Sequence, residues 1–214
     1  LVRSYASNGR YGAGVDIEEV KKPRNRLELI IEVDEGKSAT IESINIIGNE
    51  LFSNEDLLDG FELSSGSFFS FLSNDNAYSR EKLKGDIESL ESFYLNRGYL
   101  KFSIESSEIS LSKDKKSIFI NFNIFEGEQY TINDVEVVGD LPFGDEVYEE
   151  ITNTLKDQIY SQAQITSIEE FFTNVLGNQG YAFAEVSGNP VVDDDSQDVK
   201  ITFSVVPGKR TYTR

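Results

Sequence analysis

Apolar residues recur at every second position in three stretches of the chain: Leu27, Leu29, Ile31 and Val33; Ile118, Ile120, Phe122 and Ile124; and Val199, Ile201, Phe203 and Val205. A period of two puts all four side chains of a stretch on one sheet face, so each predicts a half-buried β-strand. Gly36, Gly127 and Gly208 follow at equal distance, where glycine eases the backbone into its next element. A second pattern has helical period. Leu83, Ile87, Leu90 and Tyr94 make one stripe, and Ile165, Ile168, Phe172 and Leu176 make its counterpart. Tyr78-Ser79 precedes the first and Tyr160-Ser161 the second; each serine fits a helix N-cap, with the tyrosine stapled onto the residue at N4. Gln164 is spaced to complete a capping box with Ser161. Gly98-Tyr99 and Gly180-Tyr181 fit the helix ends, and Tyr5 with Gly9 repeats that ending near the start. Short strands ending in Gly48-Asn49 and Gly139-Asp140 form a third pair. Ser53 and Asp56 then cap a helix carrying Leu57, Leu58 and Phe61, while Val147, Ile151 and Leu155 mark its equivalent.

In chain order these signals predict a repeated unit of strand, helix, helix, strand, strand. One complete unit runs over 37–127 and a second over 128–208; 1–36 supplies only the last helix and two strands of a preceding unit, and 209–214 begins another. Gly48 and Gly139 stand 91 residues apart but Gly98 and Gly180 only 82, which places an insertion at Ser64–Asn76. The chain opens within a helical pattern, which reads as an internal fragment of something longer, and the apolar strand face of 1–36 is expected to fray or to pack on a neighbour. The expected fold class is α+β. A helix pair returns the chain to its starting end, so strand 2 runs against strand 1 and strand 3 hairpins back between them. Two antiparallel helices then cover one face of a three-stranded mixed sheet.

This order leaves strand 2 at the sheet margin. In the first complete unit it reads Leu100, Lys101, Phe102, Ser103, Ile104, Glu105, Ser106, Ser107, Glu108, Ile109, Ser110, Leu111. Leu100, Phe102 and Ile104 keep one phase and Ile109 and Leu111 the other, a switch that a β-bulge produces. Leu100–Glu108 is therefore the expected polypeptide-binding edge, which an extended segment could join by backbone pairing; the plain alternative is an edge strand that binds nothing. Ile109 and Leu111 are expected on the sheet face opposite the helices, as candidates for partner docking. Phe68, Phe69 and Phe71, with Leu72, lie in the polar insertion and either form an exposed contact patch or fold back over the helix pair. Gly36, Gly127 and Gly208 are the expected hinges; such short joints restrict successive units to a few orientations.

Composition narrows the chemistry. A net charge of −18 disfavours nucleic acid and anionic lipid surfaces, both of which select for clustered Lys and Arg. The chain has no His and no Cys, which removes the commonest general base, the thiol nucleophile and thiolate metal sites. Gly36-Lys37-Ser38 matches the end of a phosphate-binding loop, but Ile31 stands where its first glycine belongs. Asp193, Asp194 and Asp195 lack the glycine and distal glutamate of a calcium loop. No catalytic residue, metal or cofactor is expected, and the chain reads as a binding module and not an enzyme.

Tyr78-Ser79-Arg80-Glu81-Lys82-Leu83, Tyr94-Leu95-Asn96-Arg97-Gly98-Tyr99, Asp114-Lys115-Lys116, Glu126-Gly127, Pro23-Arg24-Asn25-Arg26, Ile44–Asn49 and Gly180-Tyr181-Ala182 resemble, in order and spacing, the POTRA domains of outer-membrane β-barrel assembly proteins. The resemblance covers essentially the whole chain: the end of a second POTRA domain, a third, a fourth and the first residues of a fifth. It implies a periplasmic scaffold, part of an outer-membrane protein of a Gram-negative bacterium, that receives unfolded outer-membrane proteins by β-augmentation and docks accessory lipoproteins. The family's barrel is absent from these residues, and Phe68-Phe69-Ser70-Phe71-Leu72 keeps its aromatic loop in kind but not in detail. Structural spacer domains, or POTRA domains of a related secretion or autotransporter-assembly protein, are the alternatives.

Overall fold

A computed structural model describes residues 2–24, 26–63, 77–139 and 145–210. It divides into two compact units, Leu1–Leu90 with Ser103–Phe125, and Glu91–Phe102 with Glu126–Arg214.

The first unit opens with α1 (Val2–Ser7) and a hairpin of β1 (Gly14–Lys22) and β2 (Arg26–Asp34), paired from Gly14↔Asp34 to Lys22↔Arg26. Leu27, Leu29, Ile31 and Val33 are exposed on this two-stranded sheet. Next come β3 (Thr40–Ile47), α2 (Asn54–Leu58), α3 (Arg80–Leu95, of which Glu91–Leu95 falls in the second unit), β4 (Ser103–Leu111) and β5 (Ser117–Phe125). The sheet order is β3-β5-β4, with β3 parallel and β4 antiparallel to the central strand. The period-2 row on β5 is the floor of the core: Ile118, Ile120 and Phe122 are fully buried and Ile124 nearly so. Each such side chain contributes about 1.5–3 kcal/mol on leaving water. Ile41, Ile44, Ile46, Leu57, Leu83 and Leu90 are buried with them, and Phe61 meets Phe122 edge-on.

Ser53 and Asp56 form a complete capping box at the start of α2. That helix stops at Leu58, so Phe61 lies beyond it, after Asp59-Gly60. Helix α3 begins after Ser79, whose hydroxyl accepts from Lys82 N–H at 3.5 Å; Tyr78 and Leu83, the expected staple, are both buried. Asp86 is buried on the same helix and accepts from the N–H groups of Glu62 (2.6 Å) and Leu63 (3.0 Å). Burial pushes its carboxyl up from the ordinary range while those two donors pull it back.

The second unit repeats the plan with β6 (Thr131–Gly139), α4 (Asp145–Leu155), α5 (Gln162–Asn178), β7 (Glu185–Asp193) and β8 (Asp198–Val206), in sheet order β6-β8-β7. Val199, Ile201, Phe203 and Val205 of β8 are buried, with Ile132, Leu155, Tyr160, Ile165, Phe172 and Leu176 around them. Ser161 caps α5 by accepting from Gln164 N–H. The reciprocal bond from the Gln164 side chain is not among the contacts there, so the expected capping box is half formed.

One device recurs in both repeats. The register slips between Ile41 and Ser43 in β3 and between Ile132 and Asp134 in β6, so apolar residues three apart share the core face. Gly48, just after β3, and Gly139, the last residue of β6, are both left-handed, and a Cβ would sit 2.3 Å from the Ile124 carbonyl oxygen at Gly48 and 2.1 Å from that of Val205 at Gly139. Only glycine fits there.

Candidate functional site

The margin strand β4 carries the expected binding residues, with two corrections. First, it begins at Ser103, leaving Leu100, Lys101 and Phe102 in the turn that follows α3. The central strand sets this limit: Ser103 pairs with Phe125, the last residue of β5. Leu100, Lys101 and Phe102 belong to the second unit. There Leu100 packs on the cluster of Tyr130, Ile132, Leu155 and Tyr160. Phe102 stacks on Tyr94 with ring centroids 4.1 Å apart, and the Tyr94 hydroxyl donates to buried Glu126 at 2.7 Å. Lys101 forms an ion pair with Asp194, which also accepts from the Tyr130 hydroxyl at 2.8 Å. Asp194 raises the Lys101 ammonium above its usual range and is itself held low by it. The acidic turn at Asp193–Asp195 is thus partly engaged by Lys101 and Tyr130.

Second, Ile109 and Leu111 do not face away from the helices. They pair with Ile120 and Ile118, both fully buried beneath the helix layer, and directly opposed residues share a face. The slip lies between Ile104 and Ser106. The extra residue resets the alternation, so Ile104, Ile109 and Leu111 all point to the helix side. At the outer margin of that face Ile109 is 42% and Leu111 37% exposed.

From Ser103 to Leu111 the strand has β5 on one side and no neighbouring strand on the other among the described residues. Glu105 and Ser107 are exposed, Ser106 accepts from the Asn123 amide at 2.6 Å across the open face, and Glu108 pairs with Asn121. Asn45 and Asn121 continue that polar row at 2.8 Å. Phe68, Phe69 and Phe71 lie outside the described residues. Gly36, Gly127 and Gly208 are all left-handed, with φ of 63°, 73° and 71°. Among the described residues no group of three acidic, His or Cys side chains is placed to hold a metal, and no helix is long and apolar enough to cross a membrane.

The sequence reading missed the state of the matching margin in the second repeat. There Gly188 N–H donates to Glu169 Oε1 of α5, and Pro190 lies two residues further along β7.

A three-stranded mixed sheet under two helices, repeated in tandem with the same bulged first strand, is the architecture of a POTRA array, and family-level comparison agrees. The POTRA model, described as a surface antigen variable number repeat, matches residues 39–127 and 130–208, so the chain belongs to the POTRA family. It is 29% identical over 99% of its length to the outer membrane protein assembly factor BamA of Neisseria meningitidis, and 27% identical over 98% to that of Buchnera aphidicola. The chain spans 27% and 34% of the length of those relatives. Among solved structures, it is similar to POTRA3–5 of Haemophilus influenzae BamA, with a TM-score of 0.69 and 26% identity over 82% of this chain and 69% of that one.

Proposed function

We propose that this chain is the periplasmic scaffold segment of an outer-membrane protein assembly factor, and that β4 receives unfolded outer-membrane proteins by β-augmentation. The observation that supports this reading is the unmated outer side of Ser103–Leu111 in the order β3-β5-β4. An added strand would gain a ladder of main-chain hydrogen bonds that is indifferent to client sequence. It would also meet two different rows of side chains: Ile104, Ile109 and Leu111 toward the helices, and Ser106, Glu108 and Ser110 on the open face. That pairing suits a segment in which apolar and polar residues alternate. In this reading 37–127 and 128–208 are complete domains between the end of one neighbour (1–36) and the start of another (209–214). Gly36, Gly127 and Gly208 serve as their joints, and Ile109 and Leu111 are the docking row for an accessory lipoprotein.

The test exploits the second repeat, where β7 has Pro190 paired with Ile201, the position that Ile109 occupies against Ile120. Ile109→Pro should therefore fold, yet remove an outward donor from the binding edge. Titration of a synthetic decapeptide of alternating Val and Thr, followed by amide shifts of β4, should show binding weakened by about tenfold or more relative to Ile109→Ala. Equal affinity of the two folded variants would end the β-augmentation reading.

A further inference from the structure

The two complete repeats have matching cores and unlike rims. Pairing sets Gly188, Pro190 and Val192 of β7 opposite Phe203, Ile201 and Val199. In the first repeat the same places belong to Ser107, Ile109 and Leu111, opposite Phe122, Ile120 and Ile118. Along an antiparallel strand, successive residues turn their N–H and C=O groups alternately toward the partner and away from it. Gly188 gives its N–H to Glu169 of α5, so its polar groups face outward, and Pro190 two residues on faces the same way. Proline has no N–H. Two neighbouring outward donors of β7 are thus unavailable to a newcomer, one answered by the domain's own helix and one absent.

The packing explains how a helix residue reaches the rim. A Cβ on Gly188 would lie 2.6 Å from Ile165 Cγ2 and 2.8 Å from Phe203 Cε1. The bare glycine brings β7 tight against α5, and Glu169, one helical turn beyond Ile165, then meets the Gly188 N–H. In the first repeat Leu83 takes the place of Ile165, and the residue one turn on is Ile87, which has no acceptor. Ser107 there makes no hydrogen bond to α3 among the described residues.

We propose that Glu169 and Pro190 are an internal cap: the Glu169 carboxylate stands in for the carbonyl of an incoming strand, closing β7 to strand addition and reserving that event for β4. A carboxylate is the stronger acceptor for a backbone N–H than a neutral carbonyl, so a client strand cannot displace it on equal terms. The choice of β4 over β7 rests on the capture reading above; the cap itself is a property of β7.

The experiment compares the 214-residue chain with Glu169→Ala/Pro190→Val, and with Glu169→Gln, which retains an acceptor oxygen. Amide hydrogen exchange is read with and without the alternating Val/Thr decapeptide, and sedimentation without it. In the unmodified chain the peptide should protect β4 amides and leave β7 unchanged. The double variant should gain peptide protection along β7 and form rim-to-rim dimers. Without peptide, Gly188 should exchange about tenfold faster or more in the double variant and by a smaller factor in Glu169→Gln, whose neutral oxygen is the weaker acceptor. Peptide protection of β7 in the unmodified chain would overturn the cap, as would a folded double variant that neither dimerises nor takes peptide at β7. Dimers of the double variant with no peptide at β4 in any form would remove the capture reading and leave the cap standing.

Discussion

Beneath the helices, β5 and β8 can be laid side by side almost residue for residue: Ile118 with Val199, Ile120 with Ile201, Phe122 with Phe203, Ile124 with Val205, all buried. The strands next to them diverge. β4 is bulged, serine-rich and has no neighbour on its outer side among the described residues, whereas β7 is unbulged and carries Gly188 and Pro190 at outward positions. Core rows are constrained by packing from both sides, where one methylene more or less is felt. A rim is constrained only by what must join it or be kept off it. Two copies of one architecture can therefore hold the same interior while their margins diverge.

The equivalence of the cores is the part of this comparison open to the largest effect. Phe122→Ala and Phe203→Ala each remove a fully buried ring, and each should cost about 3–5 kcal/mol through lost transfer energy and the cavity left behind. Urea unfolding, resolved by amide exchange in each sheet, should give two losses within about 1 kcal/mol of each other. A much smaller loss for one would mean that its core collapses around the gap, and that the interiors match in sequence but not in packing.

A smaller effect separates the helices. Asp86 holds the N–H groups of Glu62 and Leu63, while the second repeat has Ile168 at the corresponding place, packed against its apolar cluster. Asp86→Ala should leave two backbone donors without their acceptor and cost about 1–3 kcal/mol. Ile168→Ala should cost about 2 kcal/mol by loss of apolar contact. The two are distinguished by Asp86→Asn, which keeps one acceptor oxygen and should recover part of the first loss; no recovery would show that the carboxylate's bonds are incidental to α3.

Much of this was legible in the residues. The alternating rows of β5 and β8, the serine caps and the glycine ends all rest on local periodicity, and the strand order follows from the run of elements. The sites were harder because their geometry is non-local. Where β4 begins depends on where β5 ends, and Phe102 leaves the sheet because Tyr94, earlier on α3, offers it a stacking surface. The phase switch between Ile104 and Ile109 announced a bulge. A bulge restores phase across itself, however, so Ile104 shares one face with Ile109 and Leu111 and does not lie opposite them. The Glu169–Gly188 contact has no sequence signature at all: a half-exposed glutamate on a helix is ordinary, and only the tight approach of β7 gives it a backbone partner.

The open faces of the two sheets offer the finest test of how far the repeats differ. In the first, neutral amides meet: Asn45 donates to Asn121, and Asn123 to Ser106. In the second, the Lys200 ammonium lies 2.8 Å from Glu136 and 3.1 Å from Asp134; these hydrogen bonds raise its affinity for its proton, Glu136 contributing first. All three charged groups are well exposed, so the net gain is small and sensitive to salt. Lys200→Met leaves two carboxylates side by side on a chain of net charge −18, and its penalty should be visible in about 0.01 M salt and gone near 1 M, where screening acts within about 3 Å. Asn121→Ala should instead lower the unfolding midpoint by the same modest amount at both salts, because neutral hydrogen bonds carry no long-range field. A salt-independent loss for Lys200→Met, which keeps most of the stem, would mean that the short hydrogen bonds to Glu136 and Asp134 and not the long-range field carry the effect, and the open faces would then differ in composition without differing in kind.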